Sequence, residues 1–217
     1  MLELQSVRYH PATAAEPVLR AIDLRLAPGR PTLVAGRSGS GKSSLLDVIC
    51  GLADPDGGAI LWDNQPLTAR QRRWLCGLVF QFPERHFLGL TVGQDLRLGQ
   101  RNRSSDDLRA VLERVGLADI PLTAVPEQLS GGQQRRLALA AQLLREAKVL
   151  LLDEPTAGLD WTMRDGVVDL LLSLSRDRAL LVVTHEPEVF LPRIPDGWRL
   201  EGGVLRPLAL EGSLRCS

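Results

Sequence analysis

Apolar and polar residues alternate over the first thirty positions, with Leu2 and Leu4, then Ile22, Leu24 and Leu26, on one face. That period of two predicts a pair of half-buried strands. Residues His10 to Pro17, rich in Ala and carrying two prolines, form the loop between them, and Pro28-Gly29 forms a turn. Pro31 to Ala35 then reads as a short buried strand. Leu45, Leu46 and Ile49 recur at helical spacing until Gly51 can end the helix. Asp54 to Gly58 is a turn, Ala59 to Trp62 a strand, Asp63-Asn64 a second turn, and Cys76 to Phe80 another buried strand.

From residue 82 to about 145 the period lengthens. Leu108, Val111, Leu112 and Val115 make an i, i+3, i+4, i+7 stripe, with Ser104 or Ser105 as cap and Gly116 as stop. A further helix is predicted from about Gly132 to Arg145, and Arg135-Arg136 fall on its polar side, where solvent is expected. The runs Val149 to Leu152 and Leu180 to Val183 are continuously apolar, as in parallel strands covered on both faces. A helix from about Thr162 to Ser175 lies between them. Strand, helix and strand in this order predict an α/β fold with a mainly parallel sheet and ligands at the carboxyl ends of its strands. A short strand-and-turn finish follows residue 186. One domain is predicted over 1–217. Its core and antiparallel β subdomain span about 1–81 and 146–217, and its helical subdomain about 82–145.

One stretch carries chemistry outright. Gly36-Arg37-Ser38-Gly39-Ser40-Gly41-Lys42-Ser43, followed by Ser44, fits G-x-x-x-x-G-K-[ST] between a strand and a helix. Successive backbone N–H groups can wrap a phosphate only if the chain bends tightly and comes close, hence Gly39 and Gly41. The helix that follows aims its free N–H groups and positive dipole end at the same anion. Lys42 is expected on the β- and γ-phosphates, and the Ser43 hydroxyl on Mg²⁺.

Composition narrows the class without deciding it. In 217 residues, 26 acidic side chains balance 26 basic ones, so no general nucleic-acid or polybasic membrane surface is expected. Cys50, Cys76 and Cys216 stand far apart and read as free thiols of a reducing compartment. No apolar run approaches the roughly 18 residues that span a bilayer, and Leu2 to Gln5 already alternates like a strand rather than a leader. A soluble protein is expected, with any membrane association supplied by a partner.

Two further motifs face the same kind of ligand. Asp153-Glu154 ends a buried strand, and two adjacent carboxylates there are costly unless cations or a polar substrate meet them. Beside a nucleotide, Asp153 would hold Mg²⁺ directly or through water, and Glu154 would face the water attacking the γ-phosphate. Leu129-Ser130-Gly131-Gly132-Gln133 is a second glycine-rich helix start, fit to cap a helix or to meet an anion. Two such starts, only one with Gly-Lys-Ser, suggest a site shared between two copies.

The chain resembles the ATP-binding cassette ATPases, the motor subunits of ABC transporters. The motifs occur in that family's order: the loop at 36–43, Gln81 after a strand, Leu-Ser-Gly-Gly-Gln at 129–133, Val149 to Pro155, Ala157 to Asp160, and Thr184-His185. The resemblance implies that Tyr9 stacks on adenine, where simple strand-end packing is the plain alternative. It implies that Gln81 senses Mg²⁺ and links the site to a membrane partner. Ser130, Gly131, Gly132 and Gln133 would contact the γ-phosphate bound by the opposite protomer. Glu154 would be the general base, His185 would hold γ-phosphate and water, and Asp160 would bridge the protomers. His10 and His86 receive no role.

Val79 to Phe87, with Gln-Phe-Pro-Glu-Arg, resembles the corresponding segment of energy-coupling-factor ATPases and of cyanobacterial and plastid relatives. Trp161 stands where a proline is frequent in that group. The resemblance implies ATP and Mg²⁺ as ligands, and a homodimer or a heterodimer with a paralogue. It also implies a polytopic membrane subunit docking near residues 81–98, and a cytoplasmic, peripheral position on the inner face of the cell membrane. Uptake of a transition metal or vitamin is the transport reading. A soluble cassette of Fe–S assembly is the alternative.

Overall fold

The computed structural model describes residues 1–82, 87–100, 102–194 and 197–208. His86 and Cys216 lie outside them. Ten strands form one sheet in the order β5-β4-β1-β2-β10-β9-β3-β8-β7-β6. They are β1 (Leu2–Tyr9), β2 (Leu19–Leu26), β3 (Thr32–Ala35), β4 (Gly57–Trp62), β5 (Gln65–Pro66), β6 (Cys76–Val79), β7 (Val149–Asp153), β8 (Ala179–Thr184), β9 (Gly197–Glu201) and β10 (Val204–Pro207). The helices are α1 (Lys42–Cys50), α2 (Ala69–Leu75), α3 (Val92–Leu96), α4 (Ser105–Arg114), α5 (Gly131–Leu144) and α6 (Trp161–Ser175). This is an α/β fold with a mixed sheet, as the alternation of periods predicts.

The sheet has two parts. β4, β1 and β2 pair antiparallel, Leu4 facing both Ile60 and Leu24. β9, β3, β8, β7 and β6 run parallel, Leu33 paired with Val182 and Leu150 with both Gly77 and Leu180. They join through β10, which is antiparallel to β9 and parallel to β2 at Val204–Ala21. In β1 a bulge with Ser6 at φ 47° takes up one residue. It returns Val7 to the buried face that Leu2 and Leu4 occupy.

The pleat divides the core in two. Leu33, Ala35, Leu150, Leu152, Leu180 and Val182 face a cluster built with α3 to α6. Their neighbours Val34, Val149, Leu151, Leu181 and Val183 face a second cluster with α1 and the antiparallel strands. Apolar side chains on both faces explain why these strands read as unbroken apolar runs.

Helix ends follow their capping residues. Ser104, not Ser105, caps α4, its hydroxyl accepting from Asp107 N–H while the Asp107 carboxylate accepts from Ser104 N–H. Gly51, at φ 80°, ends α1. The hydrophobic pattern gives no sign of α2, whose residues include Arg70, Arg72 and Arg73. A Thr68–Gln71 capping box starts it, and the buried Arg72 guanidinium fixes it to the carbonyls of Ala53 and Leu67 and to Asp54.

Candidate active site

The carboxyl ends of β3, β7 and β8 meet at one edge of the sheet. From β3 the chain enters the loop Gly36–Gly41, and the first residues of α1, Lys42 and Ser43, close it. Gly39 and Gly41 take φ of 78° and 99°, the left-handed region that L side chains avoid. A Cβ on Gly41 would stand 2.7 Å from Val18 Cγ1, and one on Gly36 would stand 2.5 Å from Ser40 Oγ. The loop therefore requires glycine for both conformation and space. Lys42 is buried, its ammonium donating to the carbonyls of Gly36 (2.7 Å) and Arg37 (3.1 Å).

β7 delivers the carboxylates. Ser43 Oγ donates to Asp153 Oδ2 at 2.9 Å, which places two hard oxygen donors side by side. Burial raises the Asp153 carboxyl above its ordinary range, the Ser43 hydrogen bond opposing the shift in part and the charge of Glu154 adding to it. Glu154 has φ 48°, a conformation uncommon for a non-glycine residue, and is 6% exposed. Its N–H bonds to Val183 O, which extends the β7–β8 pairing and holds the strained turn. Its Oε2 accepts from Thr184 Oγ1 at 2.8 Å, Oε1 lies 2.7 Å from His185 Nδ1, and Lys42 Nζ is 3.9 Å away.

These groups line a cleft of about 450 Å³ together with Val18, Ser38, Ser44 and Gln81. A neighbouring cleft of about 260 Å³ runs from Ser43 and Asp153 past Asp47 to Phe80, Gln81 and Phe82. A larger cavity, about 780 Å³ between Glu3, Asp23, Arg25 and Trp198, contains neither phosphate loop nor Glu154. The chemistry lies in the smaller clefts. The loop's tight backbone, its buried ammonium and the Ser43–Asp153 pair fit a nucleotide triphosphate with a divalent cation.

Several predicted residues stand elsewhere. Tyr9 is outside the cleft lining, although its carbonyl accepts from Val18 N–H at 2.9 Å, and Val18 is the residue that touches Gly41. Val18 was not among the predicted residues; its only signal was a β-branched residue following Pro17. Ser130 and Gln133 form a reciprocal capping box at the start of α5, and Asp160 caps α6 by accepting from Met163 N–H at 2.9 Å. Neither Ser130 to Gln133 nor Asp160 lines the cleft of its own chain.

The solvent position expected for Arg135 and Arg136 is corrected. Arg135 is buried and donates to the carbonyl of Ala157, and more weakly to that of Gln81 at 3.5 Å. Arg136 is half-buried, reaching Gly116 O at 3.5 Å. Residue type suggested the outer face, but these cations lie where α5 crosses the loop after β7 and the end of α4, and backbone carbonyls there take the guanidinium donors. His10 is exposed, its Nε2 2.9 Å from Ala14 O. Cys50 and Cys76 are buried free thiols.

A family model described as "ABC transporter" matches residues 19–157. The chain belongs to the ABC transporter family. It is an ATPase subunit of that family. This cassette is 38% identical to "ABC transporter I family member 11, chloroplastic" of Arabidopsis thaliana, over 94% of the chain and 80% of the relative. It is 35% identical to "Energy-coupling factor transporter ATP-binding protein EcfA2" of Geobacillus kaustophilus, over 82% of the chain and 68% of the relative. Among solved structures, cbiO1 from Clostridium perfringens, described as part of the ABC transporter complex cbiONQ, superposes with a TM-score of 0.83. The two are 29% identical, over 94% of the cassette and 86% of cbiO1. Among the described residues no helix is long and apolar enough to cross a membrane.

Proposed function

We propose that two copies of the cassette, or one copy and a paralogue, close on two ATP molecules, and that hydrolysis drives solute uptake through a polytopic membrane subunit. A transition metal ion or a vitamin is the proposed cargo. The observation that carries the reading is the arrangement of Lys42, Ser43–Asp153 and Glu154–His185 around one cleft, whose lining does not include Ser130 to Gln133 of the same chain. The latter supports a site completed by Ser130 to Gln133 and Asp160 of a neighbour.

Each residue then has a task. Lys42 and the N–H groups of Gly39 to Ser44 hold the β- and γ-phosphates. Ser43 and Asp153 hold Mg²⁺, with Gln81 beside them; the ion offsets the charge that develops on the phosphates. Glu154 accepts the proton of the attacking water, and His185 keeps that carboxylate in place while facing the γ-phosphate. Tyr9, at the Val18 end of the cleft, stacks on adenine.

The transport reading is supported by the relatives' names and by an exposed apolar stretch. Phe82, Leu88, Leu90 and Leu98 are exposed, Leu88 and Leu90 by 81% and 79%. Asp95 fixes this surface, its Oδ1 accepting from Leu88 N–H at 2.9 Å and Gly89 N–H at 3.0 Å. A short amphipathic helix of the membrane subunit fits such a patch, and would hold the cassette on the inner face of the membrane. Purification from detergent-solubilised membranes tests it. A polytopic protein that co-purifies and stimulates ATP hydrolysis is expected, with Leu88→Glu/Leu90→Glu abolishing both effects. Recovery of a soluble Fe–S scaffold complex instead would overturn transport and leave the ATPase.

A further inference from the structure

Arg164, in α6, reaches two separate loops of its own chain. Its Nε donates to the carbonyl of Leu159 at 3.0 Å, in the loop that follows Glu154. Its Nη1 stands 3.1 Å from Glu186 Oε2, in the segment that follows β8. The guanidinium fork is thus split between a carbonyl and a carboxylate. Both side chains are half-buried, which limits the screening of the pair by solvent. Arg164 does not line the cleft that holds Lys42 and Glu154.

Glu186 leads from there back to the carboxylate of Glu154. Its N–H donates to Thr184 Oγ1 at 3.0 Å, and that hydroxyl donates in turn to Glu154 Oε2 at 2.8 Å. A hydroxyl has one proton, so an N–H held on its lone pair leaves that proton aimed at the carboxylate. His185, between Thr184 and Glu186 in the chain, stands 2.7 Å from the other oxygen, Oε1. The bonds close a ring: from Glu154 along the chain to Leu159, across Arg164 to Glu186, and through Thr184 back to Glu154. The ring encloses the turn that holds Glu154 at φ 48°. Arg164 is the member that joins the loop after β7 to the segment after β8. A second arginine also ties α6 to that segment: Arg193 stands 3.1 Å from the carboxylates of Asp165 and Asp169. None of these three residues lines the cleft.

We propose that Arg164 is a positioning residue for ATP hydrolysis. By holding Glu186 against the loop after Glu154, it keeps the Thr184 hydroxyl and His185 on the two carboxylate oxygens of the base. The inference rests on the reading of Glu154 as the base, given above. Arg164 acts through that carboxylate and not on the phosphates, so its loss lowers the rate of the chemical step and leaves nucleotide binding as it was.

The test uses the full-length chain and two variants, Arg164→Ala and Glu186→Ala, that break the same pair from opposite sides. Each is expected to lower kcat about tenfold or more, with KM and the equilibrium affinity for ATP within about twofold of the parent. The double variant should lose no more than the worse single one, because both act along one path. Arg193→Ala is the structural control. It removes the other tie between α6 and the same segment, lowers the urea midpoint, and keeps kcat within about twofold. Added to Glu154→Gln, Arg164→Ala lowers turnover no further, since the group it positions is already gone. Parent-like turnover in Arg164→Ala and Glu186→Ala beside an impaired Glu154→Gln overturns the positioning role and leaves the base. A raised KM with kcat kept, an equal loss of kcat in Arg193→Ala, or a further loss in the Glu154→Gln background overturns it too. Full turnover in Glu154→Gln overturns the base, and the inference with it.

Discussion

Glu154 and His185 are locked together: Oε1 of the glutamate lies 2.7 Å from Nδ1 of the histidine, at the ends of adjacent parallel strands. The second oxygen accepts from Thr184, which is fully buried. A carboxylate held from both sides in a left-handed backbone conformation is poised for one orientation, and the cost of that conformation is met by the strand pairing at Val183. Glu154→Gln keeps the shape and removes the basicity. ATP turnover is expected to fall by about 10²–10⁴-fold with nucleotide affinity retained, read by phosphate release and by equilibrium nucleotide binding. His185→Ala removes a contact to the proposed base but not the carboxylate itself, so a smaller loss is expected. Undiminished turnover in Glu154→Gln would exclude it as the base.

Lys42 is buried, its hydrogen bonds go to carbonyls of its own loop, and the Glu154 carboxylate stands 3.9 Å away. The carbonyls do not neutralise the charge and the carboxylate stands beyond hydrogen-bond distance, which suits an ammonium kept for an anion. Lys42→Ala is expected to lower ATP affinity by about 10–100-fold, from the loss of charge-assisted bonds worth roughly 1.5–3 kcal/mol. The urea midpoint should change little, since burying the ammonium already has a desolvation cost. Calorimetry with ATP and with ADP separates β- from γ-phosphate contacts.

Arg135 ties the start of α5 to the carbonyl of Ala157, in the loop that follows Glu154. Removing the guanidinium leaves that carbonyl without its donor and opens a void beneath α5. Arg135→Ala is therefore expected to destabilise the fold by about 1–3 kcal/mol. Lysine should not rescue it, because a point charge cannot reproduce the planar fork. Urea denaturation of the two variants checks this.

Much of this was readable from residue order, because the same residues that bury the sheet also show its period. The apolar runs of β7 and β8 signal strands covered on both faces, and the loop at 36–43 carries its own geometry in its glycines. Three features were hidden, each for a physical reason. Helix α2 has no apolar stripe, since a capping box and the buried Arg72 hold it. Arg135 looked like a surface residue because its carbonyl partners lie far away in sequence. Val18 reaches the cleft only because β2 brings it against Gly41, a contact between positions that no local pattern links.

Cys76 gives a pH dependence from a buried position outside the lining of the cleft. Its thiol is buried, with Sγ 3.8 Å from Ile49 O, and burial pushes its pKa from 9.0 up to about 12, the nearby Cys50 adding to the shift. The folded chain therefore keeps a proton that the unfolded chain loses. Below about pH 9 both states are protonated and the thiol has no effect on stability. Between about pH 9 and about pH 12 the unfolded state binds fewer protons, so stability falls as pH rises, by up to about 1.4 kcal/mol per pH unit for one thiol. Cys50 is shifted in the same direction by its own burial. Replacing both with alanine lowers stability at neutral pH through lost packing, yet should flatten the alkaline limb of the curve. Urea midpoints across that range measure the slope directly, and an unchanged slope in the double variant would show that these thiols are not what titrates.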